Sequence, residues 1–600
     1  MHKATFPPAP DRQPAMQMHA PASALLQTSG LPAAWAERRA WSVLDTSFGA
    51  GHRFMATWLA WQADPQRPTM LHYVGHISLE DYEQYFSKPS LSTSDDYQAL
   101  HKAASDRARG IHRLLLEKGQ ISLTLCIGDS KAFFADHHLF ADTLWVDALH
   151  LGWDKWTAKA LARLCSRGAT LIADLPEGPN TAWLQEAGFV QIAATPTSNA
   201  LRATFDPPWK LGAKEPPVAK LRSSSSSHCC VVGAGISGSS VAYALARRGW
   251  RVTVLDKAAH PAAGASGLPA GLVVPHISAD DSPRSRLSRV GARLMLQHAE
   301  ELLSHGADWA MSGVLEHRFS EGPDRSHTHA GWIKPRALVD AWLAHPCITV
   351  RYGADVHHLK HQDTNWSLLD AAGDKLLDAD MVVFANAYGA RAMLIASEMA
   401  PHRAATLPLT LGDLQAVHGT ASLGTVPTEV ARAWGTLPHN GNGCFISIQQ
   451  RGDSSFWLAG SSFEPDAEPT AATMGLHRIA PLSEQHTNNL ARLHVLLPDV
   501  ADALAPQFHG GGPDSWSGTR CVTHDRLPLA GPVDAQGRNG LWMQVGMGAR
   551  GLTFSALGAE LIAARICGEP WPVESSLARS MDSQRLRKRR AVREVESDST

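Results

Sequence analysis

An apolar strand that runs straight into Gly-x-Gly-x-x-Gly leaves a chain little freedom in how it folds. This chain carries that pattern at Cys229-Cys230-Val231-Val232-Gly233-Ala234-Gly235-Ile236-Ser237-Gly238. A helix-forming segment, Ser239 to Arg248, follows, and then a second apolar strand, Arg251 to Leu255, closed by Asp256. Strand, glycine turn, helix, strand and terminal acid in this order make a dinucleotide-binding βαβ unit. Gly233 permits the tight turn, Gly235 lets the backbone approach a pyrophosphate, and Gly238 lets helix and strand pack closely. The helix N-terminus, approached through Ala234 and Ile236, offers amide groups and a favourable dipole to the anion. Asp256, about twenty residues on, stands where an acid can accept a ribose hydroxyl. Lys257 lies beside it at the same edge.

The residues that follow favour FAD over a nicotinamide dinucleotide. Gly264-Ala265-Ser266-Gly267, then Gly271 and Pro275, let a loop and a short helix lie against an extended cofactor. Asp355-Val356 is expected in a strand that passes the adenine. Gly546-Met547-Gly548-Ala549-Arg550-Gly551-Leu552 precedes a helical run from Ser555 to Ile566. That turn places Arg550, Gly551 and Leu552 at the isoalloxazine end. The reading is one FAD domain whose distant ends meet around a non-covalent cofactor, since no His or Cys stands at an obvious attachment position.

Composition narrows the setting. Six hundred residues suggest roughly two to four domains. An apolar fraction of 44% and a charged fraction of 19% belong to a globular protein. A net charge of -2 gives no global basic signal for nucleic acid, so RNA binding needs local patches such as Arg585 to Arg590 with Arg593. Eight cysteines without Cys-x-x-Cys pairing fit a reducing compartment, and Cys229 and Cys230 read as core residues. His137-His138 and His357-His358 lack metal-ligand partners, so no metal site is expected. No apolar run is long enough to span a membrane, and the start of the chain lacks the form of a signal peptide.

The expected fold class is α/β. Residues 1–30 read as a disordered tail, 31–205 as a Rossmann-like module of the methyltransferase type, and 206–227, with Ser223 to Ser227, as a linker. Residues 228–580 read as a two-part FAD-binding fold with an antiparallel substrate domain inserted at about 405–505, and 581–600 as a charged tail. In the N-terminal module, Asp45, Asp129 and Asp147 end strands, and Gly49 and Gly51 follow the first. Such strand ends border a ligand in doubly wound sheets, and S-adenosylmethionine is the natural candidate.

At this point the chain resembles the bacterial bifunctional enzymes, the MnmC family, that finish 5-methylaminomethyl-2-thiouridine at the tRNA wobble position. The resemblance spans about 40 to 590. It rests on Gly233-Ala234-Gly235-Ile236, Gly264-Ala265-Ser266-Gly267, Gly331-Trp332, Arg520 with Thr523-x-Asp525-Arg526-Leu527-Pro528, and Ala549-Arg550-Gly551-Leu552. Leu411-Gly412-Asp413 departs from the family's Arg-Gly-Gln. The resemblance implies FAD-dependent removal of a carboxymethyl group from carboxymethylaminomethyl-uridine, releasing glyoxylate. It also implies methylation of the freed amine, tRNA as partner and a cytoplasmic setting.

The methyltransferase half departs further. The family's Glu-Thr-Gly-Phe-Gly-Thr-Gly-Leu-Asn-Phe reads Asp45-Thr46-Ser47-Phe48-Gly49-Ala50-Gly51-His52-Arg53-Phe54. The ribose-binding acid stands as Ile77, and the Asp-Gly-Phe-Ala-Pro loop reads Asp147-Ala148-Leu149-His150-Leu151. Gly128-Asp129 is kept. Losing a charge-assisted ribose contact costs roughly 1.5–3 kcal/mol, so weak or absent binding of S-adenosylmethionine is expected. By resemblance to glycine-oxidase-like enzymes, Arg520 is the cation for the substrate carboxylate; by resemblance to the MnmC loop, Asp147 is the surviving methyltransferase acid. The alternative for Arg520 is a structural pair with Asp525. Arg550 is expected to support the flavin loop through backbone and ion-pair contacts. The rival function is a small-molecule amine or amino-acid oxidase with an N-terminal scaffold.

Overall fold

The computed structural model describes residues 20–87, 94–105, 107–175, 180–195, 200–211, 227–319, 322–362, 365–396, 414–449, 452–465, 481–509, 512–533, 540–583 and 585. The chain forms two compact units. One comprises Met1–Gly110, Leu123–Ala135 and Ala141–Lys210, and the other Ile111–Ser122, Asp136–Phe140 and Leu211–Thr600. The second unit therefore takes two short stretches from a half of the chain that the sequence reads as a single module. The linker expected over 206–227 lies mostly outside the described residues.

The N-terminal half builds one sheet from β1 (Ala40–Asp45), β2 (Met70–Ile77), β3 (Gly110–Leu116), β4 (Ile121–Ile127), β5 (Ala141–Asp147), β6 (Cys165–Asp174), β7 (Phe189–Ala194) and β8 (Leu201–Phe205). Their order is β3-β4-β2-β1-β5-β6-β8-β7. β1 lies between β2 and β5, parallel to both, while β8 runs antiparallel to β6 and β7. Chain direction across the sheet thus reverses at β1, and the crevice beyond the carboxyl ends of β1 and β5 is where a doubly wound sheet takes a ligand. β3 and β8 escaped the sequence reading. Residues expected to belong to a disordered tail form a helix, Ala20–Thr28, followed by a turn. Ala22, Leu26 and Leu31 are buried there, and that apolar burial outweighs the tail-like composition of the segment.

The second unit is organised on a six-stranded sheet. Its order is Ile348–Tyr352, Arg251–Asp256, His228–Val232, Met381–Phe384, Leu541–Val545, Leu529–Pro532. Only the last strand is antiparallel to its neighbour. Alternation sends Cys229 and Val231 into one core, packed on the helices Ile236–Arg247, Pro283–Leu302 and Gly551–Cys567. Cys230 and Val232 enter the core on the opposite face, as strand geometry requires. Between helices Ile236–Arg247 and Gly551–Cys567, the buried Glu560 bonds Arg247 at 2.5 Å and Arg248 at 3.0 Å. Arg248 also bonds Glu569 at 2.8 Å.

The antiparallel sheet, in which only Val314–Glu316 and His439–Gly441 pair in parallel among the described strands, is larger than the expected 405–505 insertion. It runs Arg325–His327, Val314–Glu316, His439–Gly441, Gly443–Gln449, Ser454–Gly460, Leu414–Pro427, Glu464–Pro465, and Asp514–Thr523 pairs along Leu414–Pro427. The two strands before the expected span, Val314–Glu316 and Arg325–His327, carry too few residues to show an alternating pattern. One face buries Phe445, Trp457 and Ala459 against Leu493, Leu496 and Leu504 of the helices Leu482–Leu496 and Pro498–Phe508. The other buries Ile446, Ile448 and Leu458 against Ala270 and Trp332.

Two further expectations change. Asp355-Val356 is not in a strand: it lies in the connection between Ile348–Tyr352 and His358–Gln362, with Val356 buried beside Val232 and Leu255. The charged tail begins later than residue 581, because Met581, Asp582 and Ser583 are buried and Arg585 is paired internally. Leu411-Gly412-Asp413 and Arg587 to Arg593 lie outside the described residues. No described helix is long and apolar enough to cross a membrane. Among the described residues, no three His, Cys, Asp or Glu side chains gather as a metal site would require.

Candidate functional site

The dinucleotide motifs, scattered in sequence, converge in the second unit. Gly233 adopts φ +109°, and a Cβ there would lie 2.7 Å from the Ala385 carbonyl oxygen. A Cβ on Gly238 would lie 1.8 Å from the Gly233 carbonyl oxygen. No other residue fits at either position. Gly235 caps the helix Ile236–Arg247 without a side-chain bond. Asp256 Oδ2 accepts the Ala234 amide at 2.6 Å and Oδ1 accepts the Ala258 amide at 2.8 Å. Each carboxylate oxygen keeps a further lone pair for a hydroxyl. Lys257 is exposed immediately beyond.

Ala265–Gly267 forms a single 3-10 turn. Ser266 Oγ accepts the Ile236 amide at 2.9 Å, so the second glycine cluster sits on the helix N-terminus. The C-terminal motif arrives at the same place. A Cβ on Gly551 would lie 3.1 Å from Ile236 Cγ2, and one on Gly271 would lie 2.7 Å from Leu552 Cδ1. Arg550 caps the helix Gly551–Cys567. Two long helices thus present their N-termini together, with glycine where a ligand must come close. This cradle fits an FAD: the residues at 233–238, 256 and 264–267 suit its adenosine and pyrophosphate end, and 546–552 its ring end.

Arg520 lies on the strand Asp514–Thr523, which is pinned to both cofactor motifs. A Cβ on Gly518 would lie 3.2 Å from Ala265 Cα. The Gly548 amide donates to the Cys521 carbonyl at 2.7 Å. The Arg520 guanidinium donates to the Ser462 carbonyl at 3.3 Å and to Ser461 Oγ, and it lies 5.2 Å from the centre of the Phe463 ring. Room for it exists because residue 419 is glycine: a Cβ there would lie 2.2 Å from Arg520 Nη1. The Ser461-Ser462 segment is held in turn. Ser462 Oγ accepts the Thr420 amide at 3.0 Å and donates to Gln485 Oε1 at 3.3 Å. Arg520 is 8% exposed, and burial lowers its pKa.

No described carboxylate pairs with Arg520. The alternative partner, Asp525, is taken by Arg585 at 2.9 and 3.0 Å. Arg585 also donates to the Pro528 and Leu527 carbonyls, so this arginine serves the fold rather than an RNA-binding patch. The ion pair expected for Arg550 is likewise absent among the described residues. Burial, then Arg284, lower its pKa, with Glu316 opposing and Arg526 adding to the shift. Arg284 donates to His276 Nε2 at 2.8 Å, and burial followed by the two arginines holds His276 down at about 4. Glu316 accepts from His327 at 2.8 Å. Ser461, Ser462, Gly419, Arg284 and His276 were not legible as site residues, since no motif marks them.

In the first unit, the strand-end acids have different fates. Asp45 is fully buried. Its Oδ1 accepts the Ser47 amide at 3.1 Å and Arg53 Nη1 at 3.0 Å, and its Oδ2 accepts the Tyr73 hydroxyl at 2.7 Å. Burial raises its pKa against the opposing effects of Arg53, Tyr73 and Ser47. Asp129 is exposed and accepts the Ala132 amide at 2.8 Å. The Asp147 amide donates to Thr46 Oγ1 at 2.9 Å. Ile77 ends β2 as a buried residue. The first acids beyond it are Glu80 and Asp81, and Asp81 accepts from Ser78 Oγ at 2.8 Å. Gly49 and Gly51 take φ +53° and +85°.

Comparison with known proteins agrees with this layout. A family model described as FAD dependent oxidoreductase matches residues 228–327 and 325–565. The chain is 41% identical to the tRNA 5-methylaminomethyl-2-thiouridine biosynthesis bifunctional protein MnmC of Albidiferax ferrireducens, over 94% of this chain and 96% of that one. It is 39% identical to the protein of the same name from Polaromonas naphthalenivorans, covering 92% and 91%. Among solved structures, it is similar to glycine oxidase from Geobacillus kaustophilus, at 18% identity and TM-score 0.44, over 57% of this chain and 96% of that one. The chain belongs to the bifunctional MnmC family, and its second unit carries an FAD-dependent oxidoreductase.

Proposed function

We propose that the second unit oxidises the carboxymethylaminomethyl group of a wobble uridine in tRNA, giving aminomethyl-uridine and glyoxylate. The observation that carries this reading is Arg520: a buried guanidinium without a carboxylate partner among the described residues, on a strand tied to both cofactor motifs. Bidentate pairing with a substrate carboxylate is the strongest contact such a group can make. FAD, when bound, accepts the hydride from the C–H between amine and carboxylate. The chain's own residues do the rest. Arg520 fixes the carboxylate, Ser461, Ser462 and Gly419 fix Arg520, and neutral His276 adds no further cation beside Arg284 and Arg550. The substrate amine must be unprotonated for its C–H to give up hydride, and the imine so formed takes up water to release glyoxylate and the primary amine. Positioning and exclusion of water are the contributions a protein makes to such chemistry.

The names of the relatives, which specify tRNA, favour a tRNA substrate over a free amino acid, and a tRNA substrate places the enzyme in the cytoplasm. The first unit is proposed to serve mainly in positioning tRNA, with aminomethyl-uridine as the principal product. The test is nucleoside analysis of tRNA bearing carboxymethylaminomethyl-uridine after incubation with the protein, with and without S-adenosylmethionine. Aminomethyl-uridine is expected in both. Unchanged tRNA alongside turnover of glycine or another small amine would instead establish a small-molecule oxidase.

A further inference from the structure

We propose that Arg53 is a built-in cation that occupies the ligand crevice of the first unit and opposes S-adenosylmethionine there. The crevice is located by topology, beyond the carboxyl ends of β1 and β5, where chain direction across the sheet reverses. Arg53 stands in the first turn of the helix His52–Ala63 that leaves β1. Its guanidinium does not point to solvent but returns to the end of that strand, 3.0 Å from Asp45. Its side chain is 28% exposed, and that of Asp45 is not exposed at all. Asp147, at the end of β5, adds to the field that favours the charged guanidinium.

A carboxylate offers about four lone-pair positions. Arg53, Tyr73 and the Ser47 amide use three of those on Asp45. S-adenosylmethionine carries a sulfonium and an ammonium against a single carboxylate, and this net positive charge would meet the Arg53 guanidinium, which already holds Asp45. A Cβ on Gly51 would lie 2.9 Å from Leu100 Cδ2 and 3.2 Å from Phe48 Cζ, whereas one on Gly49 would meet nothing within 4 Å. Packing within the chain accounts for glycine at 51, so Gly51 is no independent sign of a ligand. The donor set does not fit the cationic cofactor.

This inference deepens the proposed role of the first unit and rests on reading its sheet as one that takes a nucleotide-type ligand. The test is calorimetry of the full chain with S-adenosylmethionine and with S-adenosylhomocysteine, which lacks the sulfonium charge. The wild-type protein is expected to bind the cationic ligand more weakly than the neutral one, or to bind neither. Arg53→Asn should bind S-adenosylmethionine at least tenfold more tightly than wild type. Arg53→Gln, which keeps a hydrogen-bond donor for Asp45 and so protects the fold, should gain in the same direction, and Arg53→Lys should not gain. Wild-type preference for S-adenosylmethionine would overturn the proposal. So would a folded Asn or Gln variant with no gain. Formation of aminomethyl-uridine by the same variants should stay at the wild-type rate. Its absence in wild type would count against the oxidase reading alone and leave the Arg53 result standing.

Discussion

Arg520 is the residue on which the oxidative reading depends, and its surroundings set the size of the effect expected on removing it. Arg520→Ala would leave a substrate carboxylate without its partner, which costs about 2–5 kcal/mol. The expected outcome is a fall in kcat/KM of roughly thirtyfold to several thousandfold, with flavin content unchanged. Steady-state kinetics beside the visible absorption spectrum measure both. Normal turnover would assign the carboxylate to another cation, such as Arg550 or Lys334, which caps the helix Pro335–Leu343. Gly235→Asp places a carboxylate at the pyrophosphate and a Cβ 3.1 Å from Ser266 Oγ. That variant is expected to purify colourless, and a yellow protein with full flavin occupancy would refute the placement. At this scale the sequence was legible where a motif forces a residue type. Gly233 and Gly238 could be assigned because backbone contacts exclude any Cβ. Ser461, Ser462 and Gly419 could not, because they act on Arg520 only after a sheet has brought strands from distant sequence together.

Among elements, the helices Ile236–Arg247 and Gly551–Cys567 matter most, since their N-termini together make the cofactor cradle. Their register is held by Glu560 with Arg247 and Arg248. Burial alone would raise the Glu560 pKa, but Arg248 and Arg247 outweigh it and hold it well below 4.5. The sign follows: a depressed carboxylate adds stability above its unfolded value, and that stability disappears as pH falls through the folded value. Glu560→Gln leaves buried Arg247 without its anion and Arg248 with Glu569 alone, and is expected to cost about 3–5 kcal/mol. Thermal melting monitored by flavin release should show a lower midpoint at neutral pH and a smaller further loss on acidification than in wild type. An unchanged midpoint would mean that the cluster does not set the register. Strands such as β1 and β5 were legible from apolar runs ending at Asp45 and Asp147. Short strands such as Leu201–Phe205, which lies between β6 and β7, and those of the antiparallel sheet were not, because so few residues show little alternation and their burial is decided by their sheet partners.

For the whole molecule, the order of sequence motifs anticipated two α/β sheets but not how the chain is shared between the two compact units. Residues 111–122 and 136–140 belong with the second unit, and no compositional boundary marks them. The motifs also left open what the first unit does, because Asp45, Gly49, Gly51, Asp129 and Asp147 survive while Arg53 alters the crevice they border. The central claim concerns the second unit: electrons pass from the carboxymethyl carbon of a tRNA-borne amine to FAD. The most direct measurement is anaerobic mixing of the oxidised holoprotein with tRNA bearing carboxymethylaminomethyl-uridine, following flavin bleaching and glyoxylate together. Bleaching with one glyoxylate and one aminomethyl-uridine formed for each flavin reduced is the expected result. A flavin that stays oxidised with this tRNA yet bleaches with a free amino acid would contradict the claim.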